Sequence, residues 1–145
     1  MICGDALDRN SYERLLEGGC ADMVFTDPPY NVAYKSRLGA IANDNLGAGF
    51  GEFLSEACRN LLAYSRGGIY ICMSSSEIGT LQTVFTGAGG HWSTFVIWEK
   101  HTFTLGRSDY QRQYEPILYG WKTEARTTGA AIATRAMCGK FLSPQ

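Results

Sequence analysis

Five consecutive residues, Thr26-Asp27-Pro28-Pro29-Tyr30, set an acid, two prolines and an aromatic ring at the end of the apolar stretch Met23-Val24-Phe25. Open α/β sheets carry their chemistry at the carboxyl ends of strands, where such a run falls. Each proline fixes φ and lacks an N–H donor. The turn therefore presents a carboxylate, unencumbered carbonyls and a ring face in a fixed arrangement. That set suits the holding of a planar, weakly nucleophilic exocyclic amine while an electrophile attacks it. The bland alternative is a proline-rich turn without chemistry.

The surrounding pattern supplies elements to position the run. Residues 2–4 read as a short strand. Asn10 with Glu13 reads as the capped start of a two-turn helix that Gly18-Gly19 stops. Residues 21–26 read as the strand that feeds the turn, and 31–49 as a polar, glycine-punctuated and mobile loop. Phe50, Phe53, Leu54, Ala57, Leu61 and Leu62 fall at helical spacing. Gly67-Gly68 is read as the break after that helix, with Ile69 to Met73 a buried strand. Ser74 and Glu77 have the spacing of a capping box that opens a helix with Ile78, Leu81, Val84 and Phe85 inward. Strands over 92–98 and 114–121 flank a polar connection over 99–113. This alternation predicts an α/β fold with a mainly parallel sheet in three αβα layers. Gly47-Ala48-Gly49 and Gly87-Ala88-Gly89-Gly90 resemble cofactor-binding turns, but neither follows a buried strand and opens a helix, so both read as connections.

Composition narrows the classes. With 145 residues, 45% hydrophobic and 12% aromatic, the chain suits one globular domain. A net charge of −1 gives no global basic field, so contact with nucleic acid must come from local patches. Cys3, Cys20, Cys58, Cys72 and Cys138 form no Cys-x-x-Cys pair, which argues against a metal site. Cys3 and Cys72 lie in apolar runs and read as buried, reduced thiols, pointing to the cytoplasm. No run has the length for a membrane span, and Asp5 and Asp8 spoil a signal-peptide reading.

Asp27-Pro28-Pro29-Tyr30 matches the Asp/Ser/Asn-Pro-Pro-aromatic signature of the DNA amino-methyltransferases, and the chain resembles that family in order over residues 2–122. Ile2 to Leu7, with its Gly4-Asp5, is similar to the family's short strand ahead of the signature. Ile41 to Asn45 and Phe50 to Leu62 resemble the loop and helix that follow it in phage-type members. Phe95 to Lys100 and Tyr114 to Gly120 resemble a later strand and hairpin. The resemblance implies methyl transfer from S-adenosylmethionine to adenine N6 or cytosine N4 of a base flipped out of duplex DNA. Asp27 in first position leans towards adenine. It further implies that Asp27 and the Pro28 carbonyl accept the amine's hydrogens, that Pro29 keeps the turn rigid and that Tyr30 stacks on the base. Asp5, together with Asp27, would approach the cofactor, Asp5 at its adenine amino group; a turn-capping role for Asp5 is equally open. Lys35 and Arg37 after the signature, and Lys100, Arg107 and Arg112 interleaved with Phe103 and Tyr110, are candidate DNA contacts, against a solvated-loop reading. Glu115 reads as fixing the hairpin. The implied setting is a prokaryotic or phage-encoded cytoplasmic protein of restriction-modification or prophage type. A DNA-binding remnant without catalysis and methylation of a protein amide are the alternatives, the latter usually with Asn in first position.

Residues 1–122 thus read as the target-base half of a permuted methyltransferase, whose cofactor half should follow with a Phe-x-Gly-x-Gly turn. Residues 123–145 carry no such turn and depart from the family. Synonymous codons for Arg126 to Phe141 can be chosen so that reading from their third base gives His-His-Trp-Cys-Gly-Asp-Arg-Asp-Gln-Gly-Asp-Val-Trp, close to a phage-type continuation. The expectation is a shifted frame near Lys122–Arg126. In the family's sheet order 3-2-1-4-5-7-6, strands 1 and 2 would then be missing, with the strand over 21–26 left with an open edge. Binding of S-adenosylmethionine by this chain alone is expected to be weak or absent, with a partner chain or a dimer as a source of the missing half.

Overall fold

A computed structural model describes residues 1–33, 35, 36, 39, 40, 42–104, 109–123 and 138–140. The segment before the first helix is irregular, so the strand expected over 2–4 does not form, and Cys3 is exposed rather than buried. With no neighbouring strand, its amides have no ladder to join. The segment is held instead by Asn60, fully buried, whose Nδ2 donates to the carbonyls of Ala6 and Leu7 at 3.2 and 3.0 Å. Helix α1 (Arg9–Leu16) is capped by Asp8, not Asn10, and ends at Glu17 in the left-handed region.

Strand β1 (Ala21–Thr26) leads into the signature. Two short strands, β2 (Lys35–Ser36) and β3 (Gly39–Ala40), pair within the loop that follows. A 3-10 turn over Gly47–Gly49 opens α2 (Phe50–Ala63), which buries Phe50, Leu54, Cys58 and Leu62 at the expected helical spacing. Strand β4 (Ser65–Cys72) starts before the glycines read as a break. Gly67 and Gly68 are inside it for packing reasons: a Cβ on Gly67 would collide with the Asp22 carbonyl, and one on Gly68 would press on the Tyr119 ring at 3.1 Å. Helix α3 (Ile78–Gly87) buries Leu81 and Phe85.

Strand β5 (Gly90–Thr104) and strand β6 (Arg112–Lys122) run longer than the sequence suggested, so most of the expected polar connection is hairpin. Strand β7 (Cys138–Lys140) pairs with Ile97–Glu99. The five-stranded sheet has the order β1-β4-β6-β5-β7. β1 and β4 are parallel, with α2 as crossover, and so are β5 and β7; β4–β6 and β5–β6 are antiparallel. The sheet is therefore mixed, not mainly parallel, because β6 returns as a hairpin and inserts between β4 and β5. The run β1-β4-β6-β5 follows the 4-5-7-6 part of the expected order, and β1 stands at the edge.

The alternation of strand side chains divides the sheet's two faces. Val24, Ile69, Ile71, Leu118 and Phe95 meet α2 and α3 in the core. On the other face Phe25, Tyr70 and Tyr119 stack in sequence, with ring centroids 6.5 and 4.7 Å apart. Met23 and Phe25 on that face are 60% and 56% exposed. No described helix is long and apolar enough to cross a membrane.

Candidate active site

The signature turn leaves the end of β1 with Asp27 exposed and Pro28, Pro29 and Tyr30 partly buried. The Tyr30 hydroxyl donates to Asp27 Oδ1 at 2.5 Å, and Asp27 Oδ2 has no hydrogen bond among the described residues. Burial chiefly, then the bond to Asp27, hold the Tyr30 phenol well above its ordinary value; the charges of Asp27 and Glu115 and the Cys72 thiol add to this. The phenol is accordingly a donor that does not ionise near neutral pH. The ring also packs against the core, a constraint on the stacking role expected for it. Behind the turn lies a cavity of about 240 Å³, walled by Thr26 to Pro29 on one side and by Phe53, Ala57 and Leu61 of α2 on the other.

Three residues that sequence reasoning missed hold this turn. Asp44, 2% exposed, accepts the Tyr30 and Val32 amides through Oδ1 at 2.9 and 3.3 Å, and its carbonyl accepts the Ala33 amide at 2.6 Å. Asn31 accepts the Leu46 and Gly47 amides at 2.9 and 3.0 Å, while its Nδ2 donates to Glu77 Oε1 at 3.2 Å. Glu77 is thereby diverted from the expected capping box. It occupies the N-cap of α3 without a side-chain bond to the helix amides, and its Oε2 takes the Thr80 hydroxyl at 2.9 Å. Ser74 bonds Ser76 instead. Asn31, Ala33 and Asn43 have φ of 56°, 51° and 61°, a left-handed cluster of non-glycine residues. The sequence read 31–49 as a mobile loop, whereas Asp44 and Asn31 hold its described part with these bonds.

The remaining candidates are scattered. Asp5 Oδ1 accepts the Leu7 amide at 2.9 Å, the turn-capping geometry. Lys100 is committed to Glu115 at 2.8 Å and lies 3.6 Å from the centroid of the Trp98 ring, so Glu115 does tie the hairpin together. Arg112 is exposed and pairs with Thr104 at the hairpin's far end, and Phe103, Tyr110 and Tyr114 are exposed in the same hairpin. The Lys35 backbone lies in β2. Arg37 and Arg107 fall outside the described residues.

A methyl-donor cofactor of the S-adenosylmethionine kind needs a close backbone turn for its methionine end and an acid for its ribose. The described residues do not fit the whole group. The glycines at 47–49 lie in the 3-10 turn before α2, and those at 87–90 close α3 and open β5, so neither pair forms a turn at a strand's carboxyl end.

No protein-family model matches the sequence, and no curated protein matches it. Solved structures do. M1.HpyAVI is 18% identical with a TM-score of 0.65, covering 97% of this chain and 64% of that one. Its complex with SAM is 17% identical at 0.55, over 81% of this chain and 51% of that one. TTHA0409 from Thermus thermophilus, named a DNA modification methylase, is 18% identical at 0.56, over 98% and 54%. TTHA0409 was also solved with S-adenosyl-L-methionine. The chain thus spans 51–64% of the length of these structures. At such identity the likeness is one of fold: the chain has the α/β fold of a part of these methyltransferases.

Proposed function

We propose that this chain is the target-base half of a DNA amino-methyltransferase that uses S-adenosylmethionine, with adenine N6 as acceptor. The observation that carries the reading is Asp27, at the carboxyl end of β1, with one oxygen held by Tyr30 and the other open among the described residues. An exocyclic amine is a poor nucleophile because its lone pair is delocalised into the ring. Asp27 Oδ2 accepting one N–H, and the Pro28 carbonyl the other, favours a more tetrahedral nitrogen with a localised lone pair. This is positioning together with electrostatic help. The Tyr30 hydroxyl fixes the carboxylate, so the acceptor is set before the base arrives. The cofactor supplies an electrophilic methyl group; the residues that would complete its site are not among those described here.

The base must leave the duplex to reach Asp27. The hairpin end, with Arg112 and exposed aromatic rings, is the proposed DNA contact, and Lys35, Arg37 and Arg107 are further candidates. DNA binding without transfer is the second reading, favoured by the lack of a donor cradle among the described residues. Two measurements test the proposal. Calorimetry is expected to find no micromolar binding of S-adenosylmethionine by residues 1–145. Labelled cofactor and unmethylated duplex DNA are expected to give labelled DNA with a chain extended in the shifted frame. DNA binding with no label on any frame-extended chain supports the second reading instead.

A further inference from the structure

We infer that Asp44 is the positioning residue of the candidate site, clamping the backbone directly after the two prolines so that Asp27 and Tyr30 keep their mutual geometry; the role rests on the amine-binding reading above. Pro28 and Pro29 have no N–H, so the turn has no amide with which to anchor itself. The first available donor is the Tyr30 amide, and it goes to Asp44 Oδ1 at 2.9 Å. The same oxygen takes the Val32 amide, and the Asp44 carbonyl takes that of Ala33. One buried residue thus collects three donors from the exit of the signature.

The backbone around this clamp is strained. Asn31 and Ala33 on one side, and Asn43 next to Asp44 on the other, are all left-handed without being glycine. Such conformations are unfavourable and persist where the surroundings over-determine them, commonly at functional sites. A loop needing only to connect β1 to α2 has no cause to adopt three of them. Asn31 adds a second latch, tying the same turn to the start of α2 through Leu46 and Gly47 and to α3 through Glu77. Asp44 acts through the Tyr30 backbone rather than on a base.

Amide exchange and the Tyr30 titration, both followed by NMR on the 145-residue chain, test this. In Asp44→Ala the Tyr30 and Val32 amides are expected to exchange at least about tenfold faster. The Tyr30 phenol should then titrate lower than in the unsubstituted chain, as the bond to Asp27 loosens while burial still holds it up. Ile69, Ile71 and Leu118 should keep their protection. Asp44→Asn retains an acceptor in the same place and should stay close to the unsubstituted chain. Should Asp44→Ala not fold, Asp44→Ser carries the test, since the shorter hydroxyl keeps a polar side chain in the buried place but withdraws the acceptor from the Tyr30 amide. It should speed exchange at Tyr30 and Val32 and lower the Tyr30 titration. Unchanged Tyr30 behaviour overturns the inference. So does failure of Asn to rescue, or loss of protection spread evenly over the core. None of these readouts requires methyl transfer, so a failure of the functional reading remains separate from a failure of this one.

Discussion

The Tyr30 hydroxyl and the Asp27 carboxylate meet at 2.5 Å, so the signature's ring and its acid act as one unit. A hydrogen bond to a charged acceptor contributes about 1.5–3 kcal/mol. Tyr30→Phe keeps the ring but frees the carboxylate to rotate. The expected result, in a transfer-competent form of the protein, is a loss of about ten- to a hundredfold in kcat/KM, with duplex affinity unchanged. Steady-state kinetics beside a DNA-binding titration separate the two.

Phe85 sits in a hollow that only glycines can leave open. A Cβ on Gly120 would lie 2.7 Å from its ring and would also meet the His91 carbonyl. Gly120→Val is expected to destabilise the fold by about 1–3 kcal/mol through overpacking. Gly79→Ala, in open space on α3, should be neutral or stabilising by up to about 1 kcal/mol. Chemical denaturation of both variants gives the comparison.

Buried acids set the alkaline limit. Burial pushes Cys58 up to about 12 from an ordinary 9.0, and Cys72 to about 11 with help from Asp27 and Glu115. Below pH 9 both thiols are protonated in the folded and the unfolded chain, and they contribute nothing to pH dependence. Above it the unfolded thiols ionise while the folded ones keep their protons. Stability should therefore fall as pH rises from about 9 towards 12. The raised phenols of Tyr12 and Tyr30 act in the same direction. Thermal melts between pH 7 and 11 measure the fall. Among the four cysteines with described side chains, thiol reagents at pH 8 should label Cys3 and Cys20 first.

Two of the hairpin cations, Arg112 and Lys100, should behave differently. Arg112 is exposed, whereas Lys100 is already paired with Glu115 and packed on Trp98. Arg112→Ala is expected to weaken DNA binding and reduce the salt slope by about one. Lys100→Met should leave the slope unchanged. Fluorescence anisotropy over a range of salt concentrations distinguishes them.

What the sequence made legible was local. The strand Ala21–Thr26 and its turn could be read from an apolar run ending at two prolines, and the helix Phe50–Ala63 from helical spacing. The misreadings came from contacts distant in sequence. Gly67 and Gly68 looked like a stop because nothing local reveals that β1 and a stacked ring press on them. Glu77 fitted a capping box until Asn31, 46 positions away, claimed it. The hairpin was underestimated because most of the residues that extend it are polar, and their partners, such as Arg112 for Thr104 and Lys140 for Glu99, are distant in sequence. The clamping role of Asp44 was hidden because the Tyr30 and Val32 groups it holds are backbone amides, which have no residue identity to read.

The central claim is that Asp27 holds an exocyclic amine of DNA for methylation. Its most direct test is to identify the modified nucleoside by mass spectrometry after duplex DNA is incubated with S-adenosylmethionine and the frame-extended chain, with and without Asp27→Ala. The account predicts N6-methyladenine, lost on substitution of Asp27 while DNA binding persists. N4-methylcytosine would correct the choice of base. Methylation that survives Asp27→Ala would contradict the claim itself.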